Sequence, residues 1–324
     1  STGMNYLTME VSSQALKYHR SLCTRFAAAC FLNIGHDHIS PIEHPDFEDY
    51  FNSKLRIFPQ AAAACVNLDS DHVDRVLEAA EVCPRKITFS QKDPSATIFG
   101  YQIQKKGGDI VFRVKTPRYN REFRLTMPGL FNVENALAAI AVCEGLNIPE
   151  RYIYVGLMKA RVPGRMEVYS NADETVTAIV DYAHTPDAIT NVLGAIHEVQ
   201  GGKGKVITVV GAGGNRDKGK RPIMGEIGGR LADLCIITSD NPRTEDPMFI
   251  ISEILTGMPE GTQYVVEPDR VKAIHYAMDN ALPDDVIVLA GKGHEDYQII
   301  GHEKIHMDER EIVADYLKER AARK

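Results

Sequence analysis

The segment LCIITSDNPRTEDP, residues 234–247, joins five apolar or hydroxyl-bearing residues to an abruptly polar loop. The apolar run predicts a buried strand. Ligands of open α/β sheets collect beyond the carboxyl ends of strands, so Asp240, Asn241 and Arg243 are placed to contact a small charged molecule. The Arg243 guanidinium matches a carboxylate through two parallel hydrogen bonds, and Pro242 stiffens the loop. The alternative is an ordinary turn followed by a helix start.

The second half of the chain alternates between strand-like runs and helical segments. Strands are predicted at residues 176–180, 206–210, 235–238, 264–266 and 286–290. This alternation predicts a mostly parallel sheet with helices on both faces. Further polar loops follow three strands, at residues 181–188, 211–222 and 290–298. Glycines let the second loop approach a ligand, and its basic side chains supply positive charge: Arg216, Lys218, Lys220 and Arg221.

The first half of the chain also reads as an α/β region. Strands are predicted at residues 6–11, 26–34, 61–67 and 86–89, helices from Asp46 and at 71–80 and 131–143, and an antiparallel hairpin within 97–125. A Pro-Gly pair at residues 163 and 164 interrupts the helical pattern that precedes it. It predicts a junction between a domain of residues 1–163 and a domain of residues 164–324.

Two residues of the first half are candidates for metal chemistry. Glu10 ends the first predicted strand, and its carboxylate is a candidate magnesium ligand because hard cations prefer oxygen. A solvated glutamate in a turn fits the pattern equally well. Lys54 falls on the apolar face of the helix that begins at Asp46. Its ammonium can reach water along that face, or it can point into a site beside Glu10 and His38, paired or chemically modified.

Composition limits the class of protein. A chain of 324 residues with 44% hydrophobic and 25% charged residues has room for two soluble domains. Its net charge of -7 argues against a nucleic-acid partner, which would require a basic face. The six cysteines form no CxxC pair and predict reduced thiols in the cytoplasm. No apolar run reaches membrane-spanning length, so we expect no membrane partner.

Nine segments carry a family resemblance, and they cover nearly the whole chain: MEVSSQAL, the DHIS block, the helix of Lys54, FNVENALAA, VPGRME, DYAHTPDA, NRDKGKRP, DNPRTEDP and AGKGHEDYQ. These segments and their order along the chain resemble those of the Mur ligases. The resemblance implies an α/β fold, with a remnant of a central nucleotide-binding α/β domain followed by a Rossmann-like C-terminal domain with a mostly parallel sheet. Family members also carry an upstream uridine-nucleotide domain and a P-loop. Without these parts we expect the 324 residues alone to lack ligase activity.

The resemblance also implies the reaction and its residues. ATP and Mg²⁺ would activate the D-glutamate carboxylate of UDP-N-acetylmuramoyl dipeptide as an acyl phosphate, and meso-diaminopimelate would displace the phosphate, on a monomeric enzyme. By position, Glu10, His38 and Lys54 would serve the metal, with Lys54 carbamylated and catalytic; Ser12 and Arg20 the muramoyl dipeptide; Asn135, Arg165, Asp181 and His184 the ATP; and Arg216, Asp240, Asn241, Pro242, Arg243, Gly291 and Glu295 the diaminopimelate.

Departures from the family pattern leave alternatives open. Gln14 and Tyr18 replace a usual histidine and glutamine, and the stretch after the DHIS block is slightly longer. One alternative is a ligand-binding module without turnover. Others are a lysine-adding ligase, whose relatives lack the arginine of DNPR, and a folylpolyglutamate-type ligase, which shares the architecture but not the DNPR and GKGHEDYQ pair.

Overall fold

The computed structural model describes residues 3–35, 39–40, 43–106, 109–171 and 176–322. The chain divides into two units, Ser1–Ala160 and Arg161–Lys324. The junction expected after residue 163 remains a prediction of the sequence. None of the helices in these described ranges is both long and apolar enough to cross a membrane.

The first unit is built on one six-stranded sheet. Its elements are α1 (Ser13–Lys17), β1 (Ala29–Phe31), α2 (Phe47–Leu55), a 3₁₀ turn (Phe58–Gln60), β2 (Ala63–Asn67), α3 (Val73–Ala80), β3 (Arg85–Ser90), β4 (Ile98–Lys106), β5 (Asp109–Lys115), β6 (Asn120–Leu125), α4 (Phe131–Gly145) and α5 (Glu150–Lys159). The strand order follows the chain from β1 to β6. The pairs from β1 to β4 are parallel, and those from β4 to β6 are antiparallel.

Buried aromatic residues hold the first unit together. Phe89, Phe112 and Phe123 of the sheet pack with Leu137 of the alanine-rich α4 in one cluster. In a second cluster, Phe51 of α2 packs with residues of β1 and β2. Burial of each such side chain contributes about 1.5–3 kcal/mol. The apolar spacing of these elements therefore predicts their packing correctly.

The first strand predicted from the sequence is wrong. Residues 3–12 form no regular structure, and helix α1 begins directly afterwards, at Ser13. Met4, Tyr6 and Leu7 are 66–84% exposed, and the segment pairs with none of the described strands. A strand requires hydrogen-bonding partners, which alternation of side chains does not supply. The strand predicted at 26–34 is shortened to β1, and the predicted hairpin within 97–125 contains a third strand, β6.

The second unit contains the predicted parallel sheet. Its elements are β7 (Glu167–Ser170), β8 (Thr177–Asp181), α6 (Pro186–Gln200), β9 (Val206–Val210), α7 (Lys220–Leu231), β10 (Leu234–Ile237), α8 (Pro247–Leu255), β11 (Tyr264–Val266), α9 (Arg270–Asn280), β12 (Val286–Ala290), β13 (Tyr297–Ile300), β14 (Glu303–His306) and α10 (Glu309–Ala322). The strand order is β11-β10-β9-β12-β8-β7, and only β7 runs antiparallel within this sheet. Strands β13 and β14 form a separate hairpin.

Both faces of this sheet are covered by helices. Ile207 and Val209 of β9 pack in one cluster with Ile274 of α9 and Val313 of α10. Thr208, on the opposite face of β9, lies toward α7. An apolar strand covered on both faces is typical of parallel sheets. The α/β fold class expected from the sequence is therefore confirmed, and the carboxyl ends of β8, β9, β10 and β12 share one edge.

Candidate functional site

The loops at the carboxyl edge of the second sheet contact one another. The Gly291 amide donates to the Asp181 carbonyl at 3.0 Å, and the Gly214 amide donates to the Asn241 carbonyl at 2.9 Å. Gly291 has a φ of +125°, and a Cβ there would lie 2.9 Å from Asp240 Oδ2. A Cβ at Gly214 would lie 1.8 Å from the Pro242 carbonyl oxygen. Glycine is therefore required where these loops meet.

A hydrogen-bonded network lies between the loops that follow β10 and β12. The Lys292 ammonium donates to Asn241 Oδ1 at 3.0 Å and to Glu295 Oε2 at 2.8 Å. Asn241 Nδ2 donates to the same Glu295 oxygen at 2.9 Å. Although burial raises the pKa of Glu295, the Lys292 and Asn241 hydrogen bonds hold it below its usual value. Glu295 is therefore an ionised, oriented carboxylate.

Backbone hydrogen bonds fix the position of Arg243 at the sheet edge, and its guanidinium is the group that would bind an anion. Its φ of +55° is left-handed, its amide donates to the Ile299 carbonyl at 3.0 Å, and its carbonyl accepts from the Gly301 amide at 2.6 Å. Its Nη1 donates to the Gly214 carbonyl at 2.9 Å. Burial, and then the positive charge of Arg216, lower the pKa of Arg243. In the described ranges neither arginine forms an ion pair, so this part of the site favours an anion.

Two cations predicted to serve a ligand lie near the same glutamate, Glu245. Arg221 is fully buried and donates to Glu245 at 3.0 Å, to Glu253, and to the Gly213 carbonyl at 3.1 Å. Lys218 lies 3.4 Å from the same Glu245 carboxylate. The hydrogen bond from Arg221 is the main reason that the pKa of Glu245 falls to about 2. The expectation that Arg221 supplies charge to a ligand is wrong, because its fully buried guanidinium is already paired with two carboxylates. The same expectation for Lys218, whose side chain is exposed, stays a prediction.

Three of the four residues expected at ATP lie together in the second unit. Asp181 Oδ2 accepts from the Met166 amide at 2.7 Å, and burial raises the pKa of this aspartate. The Arg165 guanidinium lies 4.9 Å from the centroid of the Tyr182 ring, which is 4.5 Å from the His184 ring. The side chains of Arg165, Tyr182 and His184 thus cluster near Asp181. The fourth residue, Asn135, lies in the first unit on α4, where its amide donates to Asn132 Oδ1 at 3.2 Å.

The residues expected at the metal and at the muramoyl dipeptide lie in the first unit. Glu10 is exposed, and Lys54 is half-buried with its ammonium 5.0 Å from the Tyr50 ring centroid. His38 lies outside the described residues. Within the described ranges no three histidine, cysteine, aspartate or glutamate side chains form a metal-binding group. The Glu10 carboxylate is a hard donor suited to Mg²⁺, whereas Lys54 becomes one only as a carbamate.

Ser12 and Arg20 flank helix α1. Ser12 Oγ accepts from the Ala15 amide at 3.1 Å and so caps the start of the helix. The Arg20 guanidinium lies 5.9 Å from the Tyr18 ring centroid, so the residue that departs from the family pattern contacts the expected ligand-binding arginine. Their roles toward a dipeptide remain predictions.

A hydrogen-bonded network near α1 was not predicted from the sequence. His44 is fully buried, with Nε2 2.9 Å from Ser13 Oγ and Nδ1 2.6 Å from Asp49 Oδ2. Lys17 also donates to Asp49, at 2.6 Å. The network fixes α1, which carries Ser12 at its start, against α2, which carries Lys54. Only the concentration of histidine and acidic residues at 36–49 could have indicated it.

The fold and the site define an α/β protein whose charged loops meet at the carboxyl edge of a mostly parallel sheet. The model described as "Mur ligase middle domain" matches residues 1–143, and that described as "Mur ligase, glutamate ligase domain" matches residues 164–293. The chain belongs to the Mur ligase family, as the sequence resemblance predicts.

Individual relatives agree with this assignment. UDP-N-acetylmuramoyl-L-alanyl-D-glutamate--2,6-diaminopimelate ligase of Caldanaerobacter subterraneus subsp. tengcongensis is 43% identical over 319 residues, 98% of this chain and 64% of the relative. A solved structure with the same ligase name is 30% identical, with a TM-score of 0.58 over 96% of this chain and 64% of that one. The ADP complex of MurF ligase from Thermotoga maritima shares the fold, with 17% identity and a TM-score of 0.68 over 94% and 65%. The chain thus spans about 64% of the length of the curated relatives it matches.

Proposed function

We propose that this chain forms the catalytic and amino-acid-binding parts of an ATP-dependent ligase that adds meso-diaminopimelate to UDP-N-acetylmuramoyl-L-alanyl-D-glutamate. In this proposal residues 1–163 are the central domain and residues 164–324 the amino-acid-binding domain. The names of the relatives support it, and so does one feature of the site. Arg243 and Arg216 form no ion pair in the described ranges, and the ionised Glu295 contacts the same loop through Asn241.

The charges of this site match the distal end of meso-diaminopimelate. That end carries a carboxylate and an ammonium on one carbon. Arg243 would bind the carboxylate in a forked geometry, while Glu295 would accept from the ammonium. Asp240, Asn241, Pro242 and Gly291 would shape the pocket, with Arg216 adding positive charge. Lysine has the same amine-bearing chain without the distal carboxylate, so it would leave the guanidinium without its anion.

The other ligands would be held by residues outside this pocket. Asn135, Arg165, Asp181 and His184 would contact the adenine and ribose of ATP, and Ser12 and Arg20 the muramoyl dipeptide. Glu10, His38 and a carbamylated Lys54 would supply oxygen and nitrogen ligands to Mg²⁺. When bound, ATP with magnesium supplies the phosphoryl group that activates the D-glutamate carboxylate. The chain's own residues position the two reacting groups, which is a large part of catalysis.

The assay that tests this proposal compares amino acids. The gene product that carries this chain is incubated with ATP, Mg²⁺ and the uridine-linked dipeptide, and phosphate release is followed with meso-diaminopimelate, lysine or glutamate. We expect turnover with meso-diaminopimelate and at least about 30-fold lower kcat/KM with lysine, since a mismatched charged hydrogen bond costs about 2 kcal/mol or more. Equal rates with lysine would disprove the specificity, and binding without turnover would favour the binding-module alternative.

A further inference from the structure

Lys292 is a fully buried lysine in the loop that follows β12 and also carries Glu295. Its ammonium donates to Asn241 Oδ1, to Glu295 Oε2 and to the Tyr297 carbonyl. An ammonium has three protons, so these three acceptors satisfy it completely. Removal of such a buried cation takes one donor from each of these acceptors, which is costly in a site shielded from water.

Lys292 fixes the orientation of the Asn241 amide. Asn241 Oδ1 accepts from Lys292 at 3.0 Å and from the Ile299 amide at 2.9 Å. With both donors on its oxygen, the amide directs Nδ2 toward Glu295 Oε2, to which it donates at 2.9 Å. Loss of the ammonium would remove one of the two contacts that distinguish the oxygen from the nitrogen of this side chain.

Lys292 also determines which oxygen of Glu295 remains for a ligand. Oε2 accepts from both Lys292 and Asn241. Among the described residues, Oε1 has only a 3.4 Å contact, with the Tyr297 hydroxyl. The side chain of Glu295 is 15% exposed, so its carboxylate is partly accessible. The lysine therefore holds one oxygen and leaves the other for a donor.

We propose that Lys292 is a positioning residue for amino-acid selection, acting through Asn241 and Glu295 without contacting the amino acid itself. This inference rests on the proposed function. In its favour, Lys292 connects the loop of β10 to the loop of β12 through the two side chains that would surround the distal ammonium. A lysine with a purely structural role would stabilise the loops but would not act through Glu295.

A double-mutant cycle in the ligase distinguishes these roles. Lys292→Met, Glu295→Gln and the double variant are compared for KM toward meso-diaminopimelate, KM toward ATP, and Tm. We expect Lys292→Met to raise KM for meso-diaminopimelate about 30-fold or more, because one partner of a buried charge pair is lost. KM for ATP should stay within about 2-fold of the wild-type value. KM of the double variant for meso-diaminopimelate should lie within about 2-fold of the higher of the two single-variant values.

Lys304→Met is the matched control. Its ammonium lies 3.8 Å from the centroid of the Tyr297 ring, and the side chain is exposed on β14. It should leave both KM values unchanged. If Lys292→Met alone does not fold, the double variant, which lacks the unpaired buried carboxylate, is compared with Glu295→Gln, and again the two should agree within about 2-fold.

Failure of the proposed function can be distinguished from failure of the inference about Lys292. A wild-type enzyme inactive with meso-diaminopimelate would overturn the proposed function and this inference together. An active wild type with an unchanged KM in Lys292→Met would overturn the inference alone. Losses that add in the double variant, or an equal rise in KM for ATP, would assign Lys292 a structural role only.

Discussion

The guanidinium of Arg270 donates through Nε to Oε1 of Glu309 at 2.7 Å, and both side chains are fully buried. Arg270 also donates to the Ser239 carbonyl at 3.2 Å and to the Ala290 carbonyl at 2.9 Å. These carbonyls lie where β10 and β12 lead into the loops that carry Asp240 and Gly291. One arginine of α9 thus fixes the edge of the sheet on which the candidate site is built.

We predict a large loss of stability when this pair is broken. Arg270→Met leaves Glu309 as a buried carboxylate without its cation, so the free energy of unfolding should fall by about 3–5 kcal/mol. Arg270→Met with Glu309→Leu should recover much of that loss, because neither charge then remains buried. Urea unfolding of the 324-residue chain measures both values. Lys272→Met, at an exposed position on the same helix, is the control and should change little.

The regular elements could be predicted because their signals are local. The run VITVV of β9 is buried at every position, and the spacing of Phe47, Tyr50 and Phe51 with the Asp46 cap defines α2. The same local reasoning failed at residues 6–11, where strand-like composition lacks a neighbouring strand. Whether a strand forms depends on its partners, and these are distant in sequence.

The site was predicted in part for the same reason. Asn241 and Arg243 could be singled out because polar residues follow a buried strand directly. Lys292 and Arg270 could not, because their partners lie on other loops and strands. Arg221 was wrongly assigned to a ligand because a basic loop residue shows no sign in the sequence of the acidic residues that neutralise it.

Glu245 gives a pH dependence of stability. Its pKa is lowered from 4.5 to about 2, chiefly by the Arg221 hydrogen bond. A lowered folded-state pKa stabilises the protein above the unfolded pKa, and this contribution is lost as pH falls from about 4.5 to about 2. At about 1.4 kcal/mol for each pH interval of one, it amounts to at most about 3.5 kcal/mol.

The measurement is urea unfolding across that pH range. Glu245→Gln should be less stable than the wild type near pH 6, and the difference should shrink as the pH approaches 2. Glu226→Gln, at an exposed position on α7, is the control and should follow the wild-type curve. A difference between Glu245→Gln and wild type that stays constant with pH would contradict the assigned role of Arg221.

Lys54 provides a test of the proposed metal site. If its amine is carbamylated in the active enzyme, Lys54→Ala should lower kcat about 10- to 100-fold or more, because the carbamate that would bind the metal is lost. Short carboxylic acids should restore part of the activity by replacing the lost carboxylate. ¹³C-bicarbonate should give a carbamate resonance in the wild type that is absent from Lys54→Ala. Full activity of Lys54→Ala would contradict the proposal, and Lys115→Ala, at an exposed position on β5, is the control.

Arg243 provides the sharpest test of amino-acid selection. Because its φ is +55°, alanine at this position would add backbone strain, so Arg243→Asn is the better variant, since asparagine tolerates the left-handed region. Loss of the guanidinium should lower kcat/KM for meso-diaminopimelate about 30-fold or more, with a charged hydrogen bond worth about 2 kcal/mol or more.

The comparison with lysine separates binding from folding. Lysine has no distal carboxylate, so kcat/KM for lysine should change by less than about 3-fold, which is within the uncertainty of independent effects. A defect in the loop itself would lower both values together. Since the Arg243 amide and carbonyl pair with Ile299 and Gly301 through backbone atoms, these contacts survive in Arg243→Asn. Equal losses on both substrates would therefore identify Arg243 as a residue that shapes the loop, and only a selective loss supports its binding the distal carboxylate.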